Sequence, residues 1–323
     1  MRFNPKRLLP IIGITIFIVA LWVLKNEVQH FQWDDIERHL LDLPGYRIFF
    51  AVCLTAMLYT VLTGYDYMGT RYAGSHIGYR KVALASFLGY AFSHNITPSL
   101  VMGASARFRV YSNHGLTPIQ VTQIVGFCAL SLWVGFLLIG SFVFLFLPLT
   151  IPDDLGMPFE SLKVVGWIFL VILTTYIVAS IKVKKTFRIG SKKFNLPSIH
   201  QVFGQISISS MDWIISAGIL FMLLPLDSGI GFFLFLGMYM LSFMAGILSQ
   251  VPGGLGVFET IMVLLMTPYM EADEVLSSLL VFRALYYFTP LLIASITLVI
   301  YEIIQRRRKA IIKEESTIIN DVN

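Results

Sequence analysis

Six charged residues stand inside or at the edge of apolar runs in this chain: Asp66, Arg107, Arg109, Asp212, Glu259 and Arg283. A charge at the centre of a membrane helix costs on the order of 2.5–3.5 kcal/mol even on insertion scales, so each needs a partner or a wet cavity. Opposite charges of this kind have two uses. They can pair between helices as structural glue. They can also receive a lipid headgroup, with carboxylates facing an ammonium and a planar guanidinium fork facing a phosphate. Arg283 could pair with Glu259 on the preceding helix in either role. Asp66 and Asp212 read as helix-end or interhelical hydrogen-bonding groups, and Arg109 as a membrane-edge charge that sets topology, as does Arg107 in its plainer reading.

Covalent chemistry is not written here. His94 has no second His or carboxylate at ligand spacing, so it reads as an interior hydrogen-bonding residue and not as a metal ligand. His76 and His114 belong to loops. Ser207, Ser209, Ser210 and Ser216 around Asp212 fit small-residue helix packing. There is no Walker A loop and no dinucleotide fingerprint. No catalytic residue, metal or cofactor is expected.

The stretch that organises the chain is Ser249-Gln250-Val251-Pro252-Gly253-Gly254-Leu255-Gly256-Val257-Phe258-Glu259. Pro252 removes an amide donor and Gly253, Gly254 and Gly256 loosen the backbone, so an unbroken helix is not expected. Lipid cannot satisfy the freed groups, so such a break belongs inside protein or beside a wet cavity. A tight turn between two ordinary helices, with Glu259 at an interface, is the plainer alternative. Earlier in the chain, Asn95, Pro98 and Gly103 offer a second break, with Arg107 close by. Paired interruptions in two halves point to a binding site between them.

The supporting architecture follows from composition. The chain has 323 residues, 56% hydrophobic and 13% charged, with a mean hydropathy of +0.76. Repeated apolar runs of about 20 residues make an all-α, polytopic integral membrane protein. About eight spans are expected, at roughly 8–24, 46–67, 119–147, 164–181, 203–225, 229–249, 255–270 and 276–301. They form one transmembrane domain over 1–304, with possible halves 46–147 and 164–302, and a basic then polar tail over 305–323. Lys25-Asn26-Glu27 replaces a signal-peptide cleavage site after the first run, so that run is read as retained. Segment 27–43 reads as an interfacial amphipathic helix. Cys53 and Cys128 lie in apolar runs and read as buried packing residues. The net charge of +5 comes from basic loops, and no pattern for nucleic-acid binding accompanies it.

Loop charge decides the course of the run from Val82 to Met102. If it crosses, every later loop violates the positive-inside rule; if it enters and returns to one face, all of them obey it. A re-entrant or half-helix pair is therefore predicted, with both termini cytoplasmic. For 229–270, two crossings and one hairpin give the same loop sides, and an inverted repeat is one reading of the two halves.

The residues Ser93-His94-Asn95-Ile96-Thr97-Pro98 through Gly103 and Arg107, then Gly126 onward, Pro252-Gly253-Gly254-Leu255-Gly256-Val257-Phe258-Glu259, Arg283 and Pro290 resemble one family. It is the membrane region of the lysylphosphatidylglycerol synthetase/flippases and their stand-alone relatives, and the resemblance runs over about 10–302. Ala104 departs from it, because many relatives carry an acid there. The resemblance implies translocation of a phospholipid, such as aminoacylated phosphatidylglycerol, across a bacterial inner membrane. It does not imply lysyl transfer. Asn95, Arg107, Arg109, Gly253, Gly254, Gly256, Glu259, Arg283, Asp66 and Asp212 are the candidate substrate-binding residues, with Pro98, Gly103 and Pro252 as helix breaks. The alternative is a membrane subunit that presents a lipid-linked substrate to a separate transferase. The partners considered are membrane phospholipid, a second copy of the chain and such a transferase.

Overall fold

A computed structural model describes residues 43–95, 99–147, 162–183, 187–189, 192–194, 196–225, 229–248 and 256–322; for 99–100, 187–189, 192–194 and 309–322 it describes the backbone alone. The expectations for 8–24 and 27–42, for Pro98, and for Pro252, Gly253 and Gly254 lie outside the described residues.

In chain order the helices are α1 (Gly45–Tyr72), α2 (Tyr79–Asn95), α3 (Ser99–Ser112), α4 (Pro118–Phe146) and α5 (Leu162–Lys182). Strands β1 (Phe187–Ile189) and β2 (Lys192–Phe194) pair antiparallel as a small hairpin, Phe187 opposite Phe194. Then come α6 (Ile199–Leu223), α7 (Phe232–Leu248), α8 (Val257–Met266) and α9 (Ala272–Phe282). A π-helical segment, Arg283–Phe288, joins α9 to α10 (Thr289–Val322). The chain is an all-α, multi-pass membrane protein.

Among the described residues, five helical runs are long and apolar enough to cross a membrane: α1, α4, α5, α6 and the continuous α9–π–α10 run. The expected spans at 229–249 and 255–270 become shorter helices, α7 of 17 residues and α8 of 10. At 1.5 Å per residue α8 is about 15 Å long, short of a hydrocarbon core of about 30 Å.

Local sequence explains the helix starts. Thr117 and Gln120 exchange hydrogen bonds as a capping box, with Pro118 at the first helical position of α4. Ser198 and Gln201 do the same for α6. Both devices satisfy amide donors that a helix start leaves open.

Helix α6 is the centre of the bundle and packs against α1, α4, α5, α7 and α9. It runs antiparallel to α1: a Cβ on Gly204 would lie 2.6 Å from Met68 Sδ, and one on Gly64 2.7 Å from Ile208 Cδ1. At the far end, buried Arg47 donates to the carbonyls of Phe221 and Leu224. These are last-turn carbonyls of α6, which a cation satisfies well. Arg47 was not among the residues singled out in the sequence, because it stands at the first turn of a run that reads as an ordinary span.

These contacts sort the loops by charge. The α1–α2 loop, the α3–α4 loop and the start of α6 share one end of the bundle. Tyr301 and Glu302 of α10 meet Asn113 and Arg109 there, and Arg306, Arg307 and Arg308 follow within two turns. Glu271, Asp273 and Glu274 start α9, whose Ser278 donates to Leu223 O at the opposite end. Basic and acidic loops thus separate to the two ends. Of the cysteines, Cys128 is buried as expected, but Cys53 is exposed on the outer face of α1.

Candidate functional site

Helices α2 and α3 are joined by three residues and pack against one another in antiparallel register. Close approach fixes the register: a Cβ on Gly103 would lie 2.8 Å from Gly89 O, and one on Gly89 2.6 Å from Arg107 Cζ. Both outer ends of this hairpin line one cavity, between residues 74–81 and 114–120. The hairpin therefore leaves and returns to the same end of the bundle. The described part of its tip carries Asn95. Gly103 is a correction. It does not break the chain but lies within α3, where the absence of a side chain lets the two helices touch.

The slot beneath Gly89 and Gly103 holds Arg107. Its guanidinium donates to Asp66 of α1 through Nε at 2.9 and 3.1 Å and through Nη2 at 2.9 Å. Tyr111 adds a hydroxyl to Asp66 Oδ1 at 2.9 Å, and the Tyr90 ring lies 4.4 Å from Arg107 Cζ. Both charged groups are buried. The two-pronged pair and the aromatic face offset the cost of desolvating them. Replacing Gly89 by Ala is expected to push the guanidinium off this carboxylate and destabilise the chain by about 1–3 kcal/mol, the usual range for overpacking. Thermal unfolding in detergent checks it, and an unchanged midpoint would mean that the slot has room to spare.

Asp212 of α6 lies beside this pair but is bound separately. It accepts from Tyr65 at 2.9 Å and from Ser216 at 3.3 Å. Arg109 faces the other way, onto Glu302 of α10. Glu302 was missed in the sequence because it follows an apolar run just before a basic cluster, where an acid reads as a helix-end charge.

The second cluster is Glu259 with Arg283. Glu259 stands in the first turn of α8, accepts from Gly256 N at 2.8 Å and receives Arg283 Nε at 2.6 Å. Gly256 has φ +77°, a conformation that favours glycine, so this glycine sets the chain direction at the helix start. Arg283 opens the π segment, and its guanidinium carbon lies 5.5 Å from the Tyr287 ring centre.

Both interrupted elements meet this π segment. From the tip of α2, Asn95 Nδ2 donates to Tyr287 O at 3.1 Å. The His94 ring stacks on Tyr286 with centres 5.4 Å apart and planes 16° apart. His94 Nδ1 finds no hydrogen-bond partner among the described residues, so the expected interior hydrogen bond is replaced there by ring stacking. A π turn widens the helix and unsettles its regular bonding, which is why it offers a carbonyl to a neighbour. Tyr90 and His94 lie 5.8 Å apart, Tyr286 and Tyr287 4.6 Å apart. One ladder of rings therefore joins the Asp66–Arg107 pair to the Glu259–Arg283 pair. It brings together Asp66, Asn95, Arg107, Glu259 and Arg283; Asp212 joins through Tyr65, and Arg109 stands apart.

Among the described residues no group of three or more His, Cys, Asp or Glu is placed to hold a metal. Of these pairs Glu259–Arg283 keeps some exposure, at 14% and 10% of the two side chains, whereas Asp66 in the Arg107 pair is fully buried.

Comparison with known proteins places this arrangement. The family model described as lysylphosphatidylglycerol synthase TM region matches residues 11–294. Uncharacterized protein slr0712 of Synechocystis is 35% identical over 92% of this chain and 92% of its own length. Inner membrane protein YbhN of Escherichia coli is 29% identical over 88% and 90%. Phosphatidylglycerol lysyltransferase of Staphylococcus aureus is 23% identical over 73% of this chain, which covers only 27% of that protein.

Proposed function

From the premise that this chain belongs to the lysylphosphatidylglycerol synthase TM region family, we propose that it translocates phospholipid between the leaflets of a cytoplasmic (inner) membrane. The substrate is anionic or aminoacylated, phosphatidylglycerol and its aminoacyl ester being the first candidates. The single observation that carries the reading is convergence: the tip of the α2–α3 hairpin and the charged start of α8 both bear on the π segment. In an apolar bundle, three irregular elements meeting at buried opposite charges fit a binding site near mid-membrane. Tyr287 lies about 22 Å along the helix from Ala272, well inside the apolar run.

In this reading the α2–α3 hairpin is re-entrant, and the basic end faces the cytoplasm. Arg283 meets the headgroup phosphate, and Glu259 meets the ammonium of an aminoacylated headgroup or a hydroxyl of an unmodified glycerol. The Glu259–Arg283 pair is the resting state, which a headgroup opens while its acyl chains stay in lipid. Asp66–Arg107 holds the hairpin, and the ring ladder couples the hairpin to the second pair. Lysyl transfer is named for the longer Staphylococcus relative and is not carried over, because what matches is the transmembrane region.

The test is a proteoliposome assay with headgroup-labelled lipids and a membrane-impermeant quencher. Flipping above empty vesicles that depends on headgroup supports the reading. Rates equal to empty vesicles for anionic, aminoacylated and zwitterionic lipids alike would end it. A transferase partner is the second reading, favoured by the length of that relative; it requires a second protein to remain bound through purification in mild detergent.

A further inference from the structure

The ion pairs of the interior leave unexplained a cavity at the basic end of the bundle. It has a volume of about 380 Å³ and lies between the α1–α2 loop and the α3–α4 loop, with Lys81, His76, His114 and Gln120 among its lining. We infer that this cavity is a docking site for a phosphate group. The inference uses the membrane placement argued above but not translocation itself.

Charge is the first argument. No Asp or Glu occurs between Asp66 and Asp153, so neither loop can neutralise its own cations. Lys81 is exposed and makes no ion pair among the described residues, whereas Arg107, Arg109 and Arg283 each hold a carboxylate. Arg71 in the last turn of α1 and Arg80 in the first turn of α2 flank the α1–α2 loop and raise the local potential further.

Shape is the second. Gly74 and Gly115 turn the two loops with φ of +69° and +86°, and nothing lies within 4 Å of a Cβ placed on Gly74, Gly78 or Gly115. The rim is thus bare backbone, open to close approach by a compact anion. The lining also takes in Gly78 and Lys81 at the start of α2, where Gly78 O accepts from the amides of Lys81 and Val82. Gln120 Nε2 bonds Ala73 O at 3.4 Å and ties one loop to the other. His114 donates its Nδ1 proton to Val110 O at 2.9 Å, which fixes the ring.

Position is the third. Both loops are outer ends of the α2–α3 hairpin, at the level where headgroups of an adjacent leaflet lie. A phosphate bound there would clamp the two ends of the hairpin to each other. The same chemistry could be supplied by an anionic phospholipid or by free phosphate, and the experiment separates them.

The full chain is placed in nanodiscs of phosphatidylcholine with or without phosphatidylglycerol, and retained lipid is read by native mass spectrometry. Binding of inorganic phosphate is measured in parallel by calorimetry. Phosphatidylglycerol is expected to be retained at least fivefold over phosphatidylcholine, and Lys81→Glu to abolish that preference. Arg307→Glu is the control: it makes the same charge change at the same end but outside the cavity, and should leave the preference intact. Phosphate binding that is lost in Lys81→Glu, without lipid preference, supports the site and assigns it to the soluble anion. Equal losses in Lys81→Glu and Arg307→Glu, or no anion preference at all, overturn the proposal. A wild-type chain that retains phosphatidylglycerol in this Lys81-dependent way but flips no lipid above empty vesicles counts against translocation alone and leaves this site standing.

Discussion

Replacing Glu259 by Gln is expected to slow headgroup-dependent flipping roughly 10- to 150-fold while the chain stays folded. A charge-assisted hydrogen bond contributes about 1.5–3 kcal/mol, and each 1.4 kcal/mol is about tenfold. Folding should survive because the side chain is partly exposed, at 14%, and Gln keeps an oxygen for Gly256 N–H. Arg283 retains its place over Tyr287. A charge exchange, Glu259→Arg with Arg283→Glu, separates the two roles of the pair. If the pair is only glue, the exchange should recover activity. If it reads headgroup polarity, the exchange should recover expression without flipping. Wild-type rates in Glu259→Gln would remove this residue from the site.

The second large effect is on stability. Asp66→Ala should destabilise the chain by about 3–5 kcal/mol, the cost of leaving a buried guanidinium without its anion. The Asp66–Arg107 pair joins α1 to the hairpin, and Tyr111 and Tyr90 are built around it. Losing one member therefore loosens three helices at once. Replacing both charges with apolar residues of similar volume, Asp66→Leu with Arg107→Met, should recover most of the loss, because two uncharged side chains need no partner. Thermal unfolding of the detergent-solubilised protein measures both. If the single and double substitutions are equally damaging, the pair supplies something besides charge balance. If neither matters, water reaches Arg107 and the buried arrangement is not the one that persists in solution.

Much of the architecture is legible in residue order. A run of about 20 apolar residues commits a segment to crossing lipid whatever its neighbours do. Hence α1, α4, α5, α6 and the last helical run were all expected near their observed positions. Loop charge carried further. The reasoning that 82–102 must turn back used only the signs of later loops, and α2 and α3 do return to one end. The pairing of Glu259 with Arg283 was readable for the same reason: two opposite charges on successive helices have few other partners.

What residue order could not supply is which charges meet across long separations. Arg107 faces Asp66 and Arg109 faces Glu302, although the two arginines are only two positions apart. That choice depends on the angle between α3 and its neighbours, set by contact at Gly89 and Gly103, where no side chain intervenes. The π turn at Arg283–Phe288 leaves no mark in composition either, since its residues suit an ordinary helix. Hydropathy and charge are properties of single segments, so the chain alone fixes what enters the membrane and which end is basic. Pairing, ring stacking and the widened turn are properties of contacts between segments, and only packing in three dimensions selects them.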